Sequence, residues 1–406
     1  MPRLLSIFAT GCALLSSAAM AGDLFLIDAN MNGQNSKTGF NTAEEAADLY
    51  TSGQLSQFLS GYNGTQAVTS TLNFRGLPVN LAYPTANNTQ LVFAIPSLNI
   101  TQSFQGATRD ESQALFKDYL KKNPDLLARM QKELVRVSPV DPVAGNPNSL
   151  MSRTASMDFA QGFALNSPTA TGGDASNKFG IGVSYSHMVA EAANGLDSQD
   201  TDTISLPLSY AHKFEQPNHE IIINIPLAYS KANDAKSYDA GLGVIYRFPV
   251  QERWVLTVGG NVRAVGSVDL LSGAALASGS IMSSYMFGDP DGDWTLTMGN
   301  MVTLFRSLSG RINGTSYNPD LQNTVFKNGL LYARRMSGDD KTLEVYIIDT
   351  YFTGTKLFSN HQDELGVTWG TRRPAHAKET DYRIGVSMLT GENLKPSFQL
   401  NFGAWF

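Results

Sequence analysis

Residues 397–406 read Ser-Phe-Gln-Leu-Asn-Phe-Gly-Ala-Trp-Phe and close the chain. Phe398, Leu400, Phe402, Ala404 and Phe406 share one parity; Ser397, Gln399, Asn401 and Gly403 share the other. Side chains of a strand alternate between its two faces, so this segment predicts a strip with one oily side and one wet side. The same grammar recurs upstream. Ile204, Leu206, Leu208 and Tyr210 alternate with Thr203, Ser205 and Ser209, and Ile221, Ile223, Ile225, Leu227 and Tyr229 with Asn224, Ala228 and Ser230. Tyr238–Phe248, Trp254–Val262, Trp294–Met298, Leu365–Trp369 and Tyr382–Met388 repeat it. Weaker candidates are Met157–Leu165, Phe179–His187, Ala275–Phe287, Val325–Arg335 and Leu343–Phe352.

Twelve or thirteen such segments in series, each near the about 9–11 residues a tilted membrane strand needs, are hard to reconcile with a soluble sandwich, which would have to cover every oily face with a second sheet. Several apolar faces begin or end in Tyr, Trp or Phe, the residues of an interfacial girdle. Charged residues make up 16% of the chain and Gly reaches 36 residues. The net charge of −6, spread along the chain, sets nucleic acid aside as a partner. After the N-terminus no run of about 18 apolar residues occurs, which excludes helical membrane spanning.

The N-terminus itself carries Arg3, an apolar core Leu4–Leu15, and Ala19 and Ala21 in an A-x-A arrangement. That is the pattern of a cleaved secretory signal ending near residue 21. Cys12 lies within it and is the chain's single cysteine, so the mature protein is expected to have neither disulfides nor thiolate chemistry.

A terminal Phe preceded by alternate hydrophobics (Phe398, Leu400, Phe402, Phe406) resembles the C-terminal insertion signal of bacterial outer-membrane β-barrels, over residues 151–406 together with the signal. The resemblance implies an all-β transmembrane antiparallel β-barrel of twelve or fourteen strands, preceded by a small α+β N-terminal unit. It also implies outer-membrane lipids as surroundings, insertion by the barrel assembly machinery, and a periplasmic C-terminus. With an even strand number, the N-terminal unit would then lie on the periplasmic side or inside the barrel. The leading functional expectation is a channel or transport pore for a small solute or exported cargo, gated or plugged by that unit. The alternatives are an autotransporter-like translocator or surface anchor and a lipid- or peptide-hydrolysing barrel. Association into oligomers through lipid-facing strips fits the class.

Before residue 150 the grammar is mixed, and four units are expected: signal 1–21, an α+β periplasmic or plug unit 22–137, a Pro-rich linker 138–150 and the barrel 151–406. Thr42 and Glu45, and again Thr108 and Glu111, form capping boxes that predict helices; Asn123-Pro124 stops the second helix and opens another. Thr69–Tyr83 and Gln90–Phe104 are strand-like, with a bulge expected at Arg75-Gly76 where the phase shifts.

Few motifs carry chemistry. Asp28–Gly33 resembles half of an EF-hand loop, but the twelfth position is Gly39 where a bidentate Glu is needed, so an Asn/Gly turn is the better reading. Asp289–Asp293 is likewise turn chemistry. Of five histidines only His187 has serines beside it, and strand alternation turns Ser184 and Ser186 away from it. No catalytic, metal or cofactor site is expected. The informative positions are the inward ones: Lys213, Arg247, Arg253, Arg263, Arg372 and Arg383 against Asp239 and Asp293. Such residues can form an anion-favouring ladder, an arginine–acid network that rigidifies a filled barrel or, for Arg247 and Arg253, a rim arrangement.

Overall fold

The computed structural model describes residues 23–405 except 50–53, 165–175, 217–218, 252, 290–291, 313–314, 337–340 and 372–380. The signal segment, Arg372 and Phe406 therefore lie outside the described residues.

The N-terminal unit opens with a hairpin, β1 (Phe25–Met31) and β2 (Gln34–Phe40), then two short helices, α1 (Ala43–Asp48) and α2 (Gln54–Phe58). The first capping box forms, with Glu45 N donating to Thr42 Oγ1 and Thr42 N to Glu45 Oε2. Next come β3 (Val68–Phe74), β4 (Leu77–Tyr83), β5 (Leu91–Ile95) and β6 (Ile100–Phe104), then helices α3 (Arg109–Lys122) and α4 (Pro124–Val137). The strands make one six-stranded antiparallel sheet in the order β2-β1-β3-β4-β5-β6. Its apolar face (Phe25, Ile27, Phe74, Leu77, Val79, Phe93) packs with Leu126, Leu134 and Val137 of α4.

One local expectation changes and one holds. Arg75-Gly76 is not a bulge: both residues have positive φ (53° and 95°), the geometry of a two-residue hairpin turn, and β3 pairs with β4 around it. Gly is required there twice over, because a Cβ would come 2.6 Å from the Val137 carbonyl. Asn32-Gly33 (φ 52° and 81°) turns β1 into β2 in the same way, and Asp28 faces Lys37 across that hairpin.

After the linker comes helix α5 (Leu150–Ala164), then strands β7 (Ser176–Ala190), β8 (Gln199–Lys213), β9 (Glu220–Ala232), β10 (Ala235–Gln251), β11 (Trp254–Ser267), β12 (Ser272–Gly288) and β13 (Trp294–Leu308). A small hairpin, β14 (Gly310–Ile312) and β15 (Thr315–Tyr317), precedes β16 (Gln322–Arg335), β17 (Lys341–Gly354), β18 (His361–Thr371), β19 (Asp381–Gly391) and β20 (Leu394–Trp405). Excluding β14 and β15, these strands close into a twelve-stranded antiparallel barrel in which β20 pairs back onto β7, with Leu400 opposite Tyr185. Closure leaves no sheet edge, so every strand has both ladders filled. All eight clear segments and four of the five weaker candidates are barrel strands. The fifth, Met157–Leu165, is not: its described residues belong to α5.

The outer wall is apolar. Phe398, Leu400 and Phe402 face outward on β20, as do Ile384 and Val386 on β19 and Leu242 and Val244 on β10. Among the described residues no helix is long and apolar enough to cross a membrane. The strands supply the lipid-facing band instead.

The N-terminal unit covers one end of this barrel, formed by the connections 191–198, 233–234, 268–271 and 355–360. Ala43 N donates to Asp269 O, Asn73 Nδ2 to Asn194 O, and Phe358 N to Val135 O. Apolar packing is continuous across the joint, since Ala232, Ala235 and Leu270 of the barrel rim belong to the same cluster as Phe25 and Leu134. β20 runs to the opposite end. An even strand count does leave the start of β7 and the end of β20 at one end, but α5 crosses the lumen before β7 begins. The N-terminal unit and the C-terminal strand end therefore lie at opposite ends of the barrel, whereas strand parity predicts the same side or the lumen for that unit.

Candidate functional site: an occupied lumen

Helix α5 enters beside the N-terminal unit, where Asn148 Nδ2 donates to Thr201 O and Ser186 Oγ bonds Asn148 Oδ1. It descends against the wall formed by β9 to β13 and β16. Arg153 donates to Asp239 of β10 and to Ser230 Oγ of β9, and Arg263 of β11 donates to the other oxygen of Asp239 at 2.6 Å. One turn further, Asp158 accepts from Asn261 Nδ2 (2.9 Å) and Ser280 Oγ (2.9 Å). Ser156 Oγ meets Lys327 Nζ at 3.2 Å, and Gln161 and Asn224 pair their amides reciprocally. Each is a charge-assisted or amide contact shielded from bulk water, where pairing matters most.

Apolar seating completes the grip. The Phe159 and Phe163 rings lie 4.9 Å apart at a 42° tilt and press on the lumen-facing backbone of Gly299 and Gly329. A Cβ on Gly329 would stand 2.8 Å from Phe159, and one on Gly299 2.8 Å from Phe163. We expect Gly329→Leu to push α5 off the wall, a small-to-large change of the kind that costs about 1–3 kcal/mol. A spin label or fluorophore on α5 would report it as added mobility while the barrel keeps its heat-resistant gel mobility.

The helix does not fill the lumen. Opposite its seat, a cavity of about 540 Å³ runs along β7, β8 and β17 to β20. Toward the C-terminal end it is lined by Lys178, Lys213, Arg247, Glu220, Arg383 and Glu344. Arg247 lies 3.7 Å from Glu220 and Arg383 3.1 Å from Glu344, with Arg383 also donating to Thr368 Oγ1 and Thr342 Oγ1.

The inward residues named from sequence thus fall into two tiers. Arg263 and Asp239 grip α5 near the capped end, while Arg247 and Arg383 line the cavity near the other. Arg253 and Asp293 sit in exposed turns beside β11 and β13 and take no part. The missing member was Arg153, whose helical position gave no sign that it would meet Asp239. His187 faces outward and bonds Asp202 (2.9 Å), whereas Ser186 faces the lumen, so no serine–histidine relay forms there.

A scan against protein-family models matches none, and no curated protein matches either. Among solved structures, the chain is similar to the β-domain of the Bordetella autotransporter BrkA (TM-score 0.45, 16% identity, covering 57% of this chain and 99% of that one). The translocator domain of NalP from Neisseria meningitidis follows at TM-score 0.43 and 12% identity, covering 63% and 96%. An outer-membrane channel from Pseudomonas putida F1 gives TM-score 0.43 and 11% identity, covering 59% and 97%. These are likenesses of outline at low identity. The closed sheet, the apolar outer wall and the polar interior entered by one helix define the class on their own: a β-barrel of outer-membrane type.

Proposed function

We propose that the protein is an outer-membrane channel or transport barrel held closed by its own helix. The observation that carries this is the seat of α5, which uses buried ion pairs and glycine notches to occlude the lumen yet leaves a charged cavity beside it. The plug is α5, and residues 23–137 act as its external cap. Passage of a solute or cargo requires α5 to shift toward the cavity or to leave. Planar-bilayer conductance tests this reading with the refolded full chain beside a form starting near residue 165. A form starting near residue 150 retains α5 and stays closed; the form lacking α5 conducts steadily. Silence from the latter despite confirmed insertion would reject a pore.

A second reading, a translocator or surface anchor, is favoured by one specific observation: the chain passes through the lumen, with its folded N-terminal unit and its C-terminal strand at opposite ends. A periplasmic C-terminus would then put residues 23–137 on the cell surface. Added protease and a tag antibody on intact cells test that orientation: a surface unit is clipped or bound by the antibody. A unit facing the periplasm escapes both.

A further inference from the structure

Strand pairing assembles a polar row on the lipid-facing wall that no single strand reveals. Ser283 of β12 lies opposite Asn300 of β13, Asn300 opposite Asn328 of β16, Asn328 opposite Asp349 of β17, and Asp349 opposite Asp363 of β18. Outward phase is fixed by the neighbours two residues away. Met298, Leu330, Ile347 and Leu365 are all exposed hydrophobics of the outer wall. The middle of the row is bonded: Asn300 Nδ2 donates to Asn328 Oδ1 at 2.8 Å, Asn328 Nδ2 reaches Asp349 at 3.5 Å, and His361 Nε2 meets Asp349 at 2.7 Å, while Ser283 Oγ accepts from Trp254 Nε1 at 2.9 Å. Asn300 and Asn328 sit near the middle of their strands, flanked along both by apolar residues, Leu304 and Phe326 among them. Lipid chains offer such groups neither donors nor acceptors.

We propose that this row is an interface between two copies of the chain. A carboxamide both donates and accepts, so a row centred on Asn300 and Asn328 can face itself. Two copies inserted in one orientation are related by a two-fold axis along the membrane normal, and such an interface is isologous. With the axis between Asn300 and Asn328, the amides of one copy oppose those of the other. The same symmetry sets the β17–β18 flank of each copy against the β12–β11 flank of its partner. Among the outward positions of that flank, Gly260 and Ala264 on β11 and Ala277 and Gly279 on β12 are small, set between the exposed Val258, Val262 and Ile281. Small residues let two backbones approach closely enough for short side chains to bond across. The inference rests on the barrel spanning a membrane and is independent of whether it conducts.

Disulfide trapping in the membrane tests it, in the full chain with Cys12 replaced. Asn328→Cys is expected to give an oxidised dimer in high yield, while Leu400→Cys on β20, away from the row, gives at least tenfold less. Asn300→Leu combined with Asn328→Leu should lower the dimer fraction in native mass spectrometry at least tenfold, with the heat-resistant barrel band unchanged. Equal trapping at both cysteines, or a monomer before and after the double substitution, would overturn the proposal. So would a monomer that binds Zn²⁺ or Ca²⁺, titrated alone, through Asp349, His361 and Asp363, because the row would then be a cation site.

Discussion

Asp239→Ala is expected to shift the plugged barrel toward an open one by about two to three and a half orders of magnitude in equilibrium constant. In the occupied lumen Asp239 is the shared partner of Arg153 and Arg263, and its own side chain is fully buried. Removing it leaves two largely buried guanidinium groups facing each other, a change that costs about 3–5 kcal/mol. The penalty falls almost entirely on the plugged state, because departure of α5 admits water around Arg263. A perturbation shifts an equilibrium only by its differential effect on the two states, and here that differential is nearly the whole cost. Arg153→Met supplies the control. It preserves the Asp239–Arg263 pair, so its effect should be at most a few-fold. Open probability in planar bilayers, compared across the wild type and both variants, checks the order Asp239→Ala, Arg153→Met, wild type.

The second large effect concerns the joint between cap and barrel. Arg75 and Asp141 form an ion pair at 3.1 Å in which both side chains are fully buried. Asp141 also accepts from Gln131 Nε2 (2.9 Å), Ser272 Oγ (3.3 Å) and the Val143 amide (2.9 Å). One carboxylate thus ties together the β3–β4 turn, α4, the start of the linker and the β12 strand of the barrel. Asp141→Ala removes the buried ion-pair partner of Arg75 and should destabilise the docked unit by about 3–5 kcal/mol, releasing it as a protease-sensitive domain while the barrel band persists on gels. Combining Asp141→Leu with Arg75→Met removes both charges and should recover much of that loss, as replacement of a buried pair by apolar groups often does. If the single and double variants are equally sensitive to protease, the joint does not depend on this pair.

What could be read in the sequence and what could not divides along physical lines. Barrel strands have one face in lipid, so period-two alternation marks them even where it is weak, as in Phe179–His187 and Val325–Arg335. The inward phase of Arg263 and Asp239 followed from the same alternation. Helix α5 was missed because it touches protein on several sides within the lumen. Arg153, Asp158 and Gln161 meet polar wall residues while Phe159 and Phe163 meet glycines, so no clean apolar stripe announces a helix. Met157, Phe159 and Phe163 even fit a strand's parity. Strand β2 escaped notice for a different reason. Gln34–Phe40 is a polar edge strand, and only pairing with β1 defines it. The row from Ser283 to Asp363 was invisible for want of register, each member being a lone polar residue in an apolar strip. Because α5 threads the lumen, the end of the barrel assigned to the N-terminal unit from strand parity also changed.

Occupation and closure of the lumen by α5 are tested most directly by a disulfide across that contact. A Cβ placed on Gly162 lies 3.5 Å from Thr257 Oγ1, so Gly162→Cys with Thr257→Cys can bridge helix and wall once the flexible tip of Met282 moves aside. In the Asp239→Ala background, with Cys12 replaced, the oxidised protein should be closed in planar bilayers and should open on reduction. A bridge that forms while the oxidised barrel conducts freely, or a failure to bridge in the membrane-inserted protein, would contradict a plug at this position.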